Sequence, residues 1–355
     1  MLTIIEITSR SLLMTTIKPI KISSNKTNPN EKLTSAEMGK LWATYIGNTM
    51  SECILSHFLQ HVDDKEIKTL LDNALLITKD FKQRITDIFN KDHFPIPFGF
   101  SIKEDVNFNA PRLFDDQFYV HYLKYVAKAG LSIYNVAMPL VFRKDVKDFF
   151  NYSVYSTLEL LDQIKSVLIN KNFIRIPPEI PIPEKAEYTK QNFLNGFLGH
   201  IRPLHALEIA HLYDNIENEV TSKALILGFS QVVQDEKIRE LFQKGKELTH
   251  KSINRYMQQL ESANLPSPSY IDHLVTTSTV SPFSEKLMLY HKVDMFSMKM
   301  RAFGNSVAVS GRHDIGFMYT RTLMNITLFV EDAAEILIEN GWMEKPPEAV
   351  DRDDL

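Results

Sequence analysis

The chain has 355 residues, enough for about two domains, and is 44% apolar and 24% charged, which excludes a disordered polymer. Its formal charge of −4 comes from interspersed acidic and basic residues without a basic stripe, so nucleic acid is not an expected partner. No apolar run reaches transmembrane length, and Cys53 has no second cysteine to pair with, so a reducing, cytoplasmic setting is expected.

Residues 1–30 lack a basic leader region and a small-residue cleavage site, and Glu6 and Arg10 interrupt their apolar residues. They read as a disordered tail rather than a signal peptide. Thr34-Ser35-Ala36-Glu37 is a capping box, in which Thr34 and Glu37 satisfy each other's backbone N–H groups. Met38, Trp42, Tyr45, Thr49 and Cys53 follow at three- and four-residue steps, giving a long helix to about His61, with Cys53 as a small buried hydrophobe. A second helix opens at Asp63-Asp64, buries Ile67, Leu70, Leu71, Leu75, Thr78, Ile85 and Phe89, and stops at Phe94-Pro95. After a long connection, a third helix runs from about Phe114 to Met138. The corner Arg143-Lys144-Asp145 leads into a fourth, ending before Ile176-Pro177-Pro178.

The chain then repeats this order. Phe229–Pro268 aligns without a gap on Phe58–Pro97, matching Thr249 to Thr78 and Pro266 and Pro268 to Pro95 and Pro97. Arg312-His313-Asp314 repeats the corner, and Pro346-Pro347 repeats the stop. The expected fold is all-α, a tandem duplication of a ferritin-like four-helix bundle with a long connection between helices 2 and 3. The expected boundaries are a tail to residue 30, repeat one over 31–176, a Pro-rich linker and junction over 177–202, repeat two over 203–347, and a frayed acidic tail over 348–355. Within the junction, Phe193, Leu194, Phe197 and Leu198 are expected to pack between the repeats.

The phrases TSAEMGKLWATYIGNTM, NAPRLFDDQF, NGFLGHIRPLHALEIAHLY, GRHD and ENGWMEKPP resemble the DUF3231 family, from Leu33 to Pro347 in its two-copy form. That resemblance implies a ferritin-like bundle and an origin among endospore-forming bacteria. It implies no catalytic residue.

Ferritin-like bundles can hold two metals with carboxylates and Glu-x-x-His pairs. Repeat two contains two such pairs, Glu208/His211 and Glu247/His250. Glu247 lies on a solvated stripe, whereas Glu208 flanks an apolar face. The metal candidates are therefore Glu208 and His211, with Asp294 and Glu331 from the other helices. Against them, repeat one carries Lys40 and Lys79 where repeat two has His211 and His250, and no carboxylate falls squarely on an apolar seam. Glu37 and Glu208 have a structural alternative as first-turn caps. At the corners, Asp145 and Asp314 read as N-caps of the fourth helices and Arg143 and Arg312 as ties. Thr78 and Thr249 lie on buried stripes and are expected to bond to a carbonyl or a neighbouring helix.

No P-loop, nucleophile elbow, C-x-x-C pair or H-E-x-x-H is present. The residues thus favour a non-enzymatic structural or interaction role, with a protein partner or self-association, in the cytoplasm or forespore and spore-associated, and with no cofactor expected. The alternative is a ferritin-like protein or oxidoreductase using repeat two to hold iron, manganese or zinc.

Overall fold

The computed structural model describes residues 31–353; the expected tail over 1–30 and the last two residues lie outside them. Nine α-helices occur among the described residues: α1 Ser35–His61, α2 Lys65–Lys91, the single turn α3 Ile102–Asp105, α4 Asp116–Ala137, α5 Lys144–Asn170, α6 Ala206–Val232, α7 Glu236–Ser262, α8 Glu285–Val309 and α9 His313–Glu339. There is no β-strand among these residues, only two isolated bridges. No helix among the described residues is long and apolar enough to cross a membrane. The architecture is an all-α tandem duplication: α1, α2, α4 and α5 recur as α6, α7, α8 and α9.

Local chemistry explains the helix ends. At α1, the Glu37 N–H donates to Thr34 Oγ1 (3.2 Å) and the Thr34 N–H to Glu37 Oε2 (2.8 Å). At α6 a histidine takes the cap: the Glu208 N–H donates to His205 Nδ1 (3.2 Å) and the His205 N–H to Glu208 Oε2 (3.1 Å). Asp64 and Asp235 cap α2 and α7. Past the C-termini of α2, α5, α7 and α9, His93, Asn172, Asn264 and Gly341 take φ of +53°, +55°, +57° and +66°.

The corners depart from expectation in one respect. Arg143 and Arg312, not the aspartates, are the N-caps of α5 and α9, and neither caps with its side chain. Asp145 and Asp314 sit in the first turn, where they meet the positive end of the helix dipole and bind their own arginine: Arg143 Nε to Asp145 Oδ1 at 2.8 Å, Arg312 Nε to Asp314 Oδ1 at 3.0 Å. The N-capping N–H groups are taken instead by distant carboxylates. Glu37 Oε1 accepts from the N–H groups of Phe142 and Arg143 (2.9 and 2.8 Å), and Glu208 Oε1 from those of Gly311 and Arg312 (both 3.0 Å). One glutamate per repeat thus ties the start of its first helix to the start of its last.

The two long connections clasp each other with reciprocal bonds. The Asp115 N–H donates to Leu274 O (2.9 Å), and at the equivalent positions the Ser284 N–H donates to Asp105 O (3.1 Å). The pair Asn107 N–H to Pro282 O and Thr276 N–H to Leu113 O repeats the pattern, as do the bridges Val106–Phe283 and Phe114–Val275. Phe114 reaches the surface of α6, where a Cβ on Gly228 would sit 2.7 Å from its ring; Phe283 reaches α1, its ring centroid 5.3 Å from that of His57. Buried side chains of both repeats share one core.

The junction packs differently from its expected arrangement. Leu194, Phe197 and Leu198 are exposed. Only Phe193 is half-buried, and it serves repeat two: Arg202 stacks over its ring at 4.2 Å and donates to Glu208 through both terminal nitrogens at 2.8 Å.

Candidate functional site

The residues singled out for metal binding are held apart. Both Glu208 oxygens are already engaged by Arg202 and three backbone N–H groups, one at the cap and two at the corner. Burial pushes its carboxyl up, but Arg202 and those N–H groups outweigh it and bring it down to about 2. His211 is half-buried with Nδ1 3.3 Å from Ser306 Oγ. Glu331 is exposed on α9, and Asp294 lies on α8 facing repeat one. Among the described residues no three His, Cys, Asp or Glu side chains come together to hold a metal ion. Glu247 is exposed and pairs loosely with Lys251 at 3.7 Å, and His250 meets Asn254 and Tyr270 at the surface.

One sequence expectation is overturned at the centre of repeat two. A carboxylate does fall on an apolar seam. Glu219 of α6 is 1% exposed, and Lys299 of α8, also 1% exposed, donates to its Oε2 at 2.8 Å. Lys299 reaches Thr249 Oγ1 at 3.5 Å and stands 4.4 Å from the centre of the Phe296 ring. Two turns away, fully buried Lys292 donates to Ser222 O (3.1 Å) and Ser222 Oγ (2.7 Å). Burial raises Glu219 and lowers Lys299, and each partner's charge draws the other back towards its ordinary value. Lys292, which has no carboxylate partner among the described residues, is driven well below the lysine range by burial and by Lys299. The centre of this repeat is closed by an ion pair and an amine hydrogen-bonded to a hydroxyl and a carbonyl.

Repeat one replaces the charged groups and the Phe296 ring by something smaller or neutral. Asn48 stands where Glu219 does, Gly130 where Lys299 does, Leu123 where Lys292 does and Ala127 where Phe296 does. The result is space. A cavity of about 70 Å³ lies among α1, α2, α4 and α5, lined by Thr78, Ala127 and Gly130 among others. A second, of about 140 Å³, lies where α1, α4 and α8 meet; both touch Asn48, Gly130 and Tyr134. Thr249 has its expected partner on a neighbouring helix. Thr78 is also buried but makes no hydrogen bond among the described residues, because the position opposite it carries a glycine in place of a lysine.

The larger cavity is lined by Tyr122, Tyr125, Tyr134 and Tyr290, by His291, and by a single carboxylate, Asp294. Tyr122 and His291 occupy equivalent positions on α4 and α8 and meet there: Tyr122 Oη lies 2.7 Å from His291 Nε2. Tyr125 donates to Met295 O at 2.7 Å. Burial, with help from the Lys292 charge, pushes His291 down to about 3, so its ring is neutral near pH 7. Burial also raises Asp294, opposed by the Arg301 charge.

Sequence reasoning named Asp294 but placed it with metal ligands, and it missed Glu219, Lys292 and Lys299. A signal existed. Met288, Lys292, Met295 and Lys299 share one helical face, and the repeat alignment sets Lys299 against Gly130.

No curated protein matches the chain. One solved structure, from Bacillus halodurans C-125 and described as a "putative spore coat protein", is similar at 14% identity with a TM-score of 0.39, covering 42% of this chain and 98% of its own. The profile of a family described as "Protein of unknown function (DUF3231)" matches twice, over residues 22–186 and 192–355. Spanning both repeats, these matches place the chain in the DUF3231 family.

Proposed function

We propose that this chain is a non-catalytic, ferritin-like double bundle that works by contact, assembling side by side with copies of itself in the spore-forming cell. The observation that carries the reading is the outer face of α9. Phe317, Met324 and Leu328, at helical spacing, are 60%, 67% and 56% exposed. Tyr155 and Leu158 stand out similarly on α5, the equivalent helix. Large apolar side chains aligned on one helix face are the usual mark of a protein contact. Spore association is supported by the family resemblance, and a cytoplasmic or forespore location by the lone buried Cys53, whose thiol burial pushes up to about 12.

Sedimentation of the full chain tests the contact. Assembly is expected for the wild type, reduced at least tenfold in affinity by Met324→Glu/Leu328→Glu. A wild type that stays monomeric at high micromolar concentration overturns the reading. The competing proposal, iron, manganese or zinc on Glu208 and His211 with Asp294 and Glu331, requires Glu208 to abandon the bonds that hold Arg202 and the α9 corner. Metal analysis of protein purified without chelator, beside Glu208→Ala/His211→Ala, tests it; near-stoichiometric metal lost in the double variant would establish it.

A further inference from the structure

The cavity between α1, α4 and α8 has chemistry that a packing role does not use. Its volume is about 140 Å³. Asp294 faces it and has no hydrogen-bond or ion-pair partner among the described residues. Asp294 is half-buried, so it has lost part of its hydration without a protein partner to replace it, and a cation in the cavity would supply one. No lysine or arginine lines the cavity. Arg301, two turns further along α8, directs its Nε to Ser132 Oγ at 3.2 Å instead. The remaining walls suit a cation. Tyr122 and Tyr125 have their hydroxyls committed to His291 and Met295 O, and Tyr290 is held edge-on to Phe100 at 5.3 Å. What Tyr122 and Tyr125 have left is ring surface, and all three rings offer electron-rich faces that attract ammonium groups.

We propose that this cavity is a binding site for a small primary amine in its ammonium form, with Asp294 as counter-ion and Tyr122, Tyr125 and Tyr290 as walls. A cavity of about 150 Å³ accepts a benzene molecule, so a ring or short chain carrying one ammonium group fits the space. The site is built by both repeats: α1 and α4 supply most of the walls and α8 supplies the charge. Repeat two has no counterpart, because Glu219 already has its own ammonium in Lys299.

Benzylammonium is the probe, and benzyl alcohol its neutral isostere. Calorimetry on the full chain is expected to show saturable millimolar or tighter binding of benzylammonium, and binding of benzyl alcohol at least tenfold weaker. Asp294→Asn should weaken benzylammonium at least tenfold and leave benzyl alcohol unchanged. Gly47→Leu provides a second handle. Gly47 lines the cavity, and a Cβ there meets nothing within 4 Å, so the variant should fold and exclude the probe. Absence of saturable binding, equal affinity for the two probes, or indifference to Asp294→Asn or to Gly47→Leu would each overturn the proposal.

Discussion

The centres of the two repeats share a backbone plan and little else. In repeat two the seam is closed by Glu219 and Lys299; in repeat one Asn48 and Gly130 leave a cavity at the same place. Yet the edges of the repeats are conservatively built. Glu37 and Glu208 make the same paired bonds to the last helix, and the connections exchange equivalent hydrogen bonds. Duplication has preserved what aligns the helices and relaxed what fills them. The reason is geometric: a helix start must satisfy fixed N–H groups, whereas a core position need only be occupied at tolerable cost.

The largest test of this contrast is at the ion pair. Lys299→Ala should strand Glu219 in the core and cost about 3–5 kcal/mol in denaturant unfolding. Removing both charges with Glu219→Leu/Lys299→Met should cost far less or stabilise the protein. At the equivalent positions, Asn48→Leu alone should shift stability by only about 1 kcal/mol, because no charge is left behind. A Lys299→Ala variant as stable as wild type would erase the distinction between the repeats.

Acid sharpens the comparison next. His57 in repeat one and His291 in repeat two are each 1% exposed. Burial pushes His57 down to about 4, helped by His61, and His291 down to about 3. Both folded values lie below that of an unfolded histidine, about 6.5, so the unfolded chain takes up protons first as pH falls. Their contribution is present above about pH 6.5 and fades as pH falls towards the folded values, reaching about 2 kcal/mol lost per histidine by pH 5. Asp294 and Glu219, raised by burial, act in the opposite direction. His57→Leu should flatten the slope of unfolding free energy between pH 7 and 5; an unchanged slope would show that His57 titrates alike in both states.

The smallest effect distinguishes the matched threonines. Thr249→Val removes an acceptor for buried Lys299 and should cost about 1 kcal/mol. Thr78→Val removes a hydroxyl that has no partner and should be neutral or slightly stabilising. Equal penalties, measured by thermal unfolding, would place Thr78 in an unrecognised network.

Much of this was legible in the amino-acid order. The capping box at Thr34 and Glu37, the Asp64 and Asp235 starts, the glycine stop at Gly341 and the ungapped repeat all follow from short-range rules that residue spacing records. The all-α duplication follows from them. Asp145 and Asp314 were placed at the right corner but in the wrong capping role, because the competing carboxylates, Glu37 and Glu208, lie more than a hundred residues away in the chain.

Helical period and local capping, which depend on neighbours three and four residues apart, therefore determined the elements and their duplication from the sequence alone. Only the tertiary structure decided which flank residues became core. By helical period alone Glu219, Lys292, Lys299 and Asp294 read as flank residues, and a helix flank faces solvent or interior according to which other helix covers it. For α8 that cover comes from α6 on one side and from repeat one on the other. The first contact turned Glu219 and Lys299 into a buried pair. The second left Asp294 facing a tyrosine-lined cavity, because the α4 and α1 positions opposite it are small.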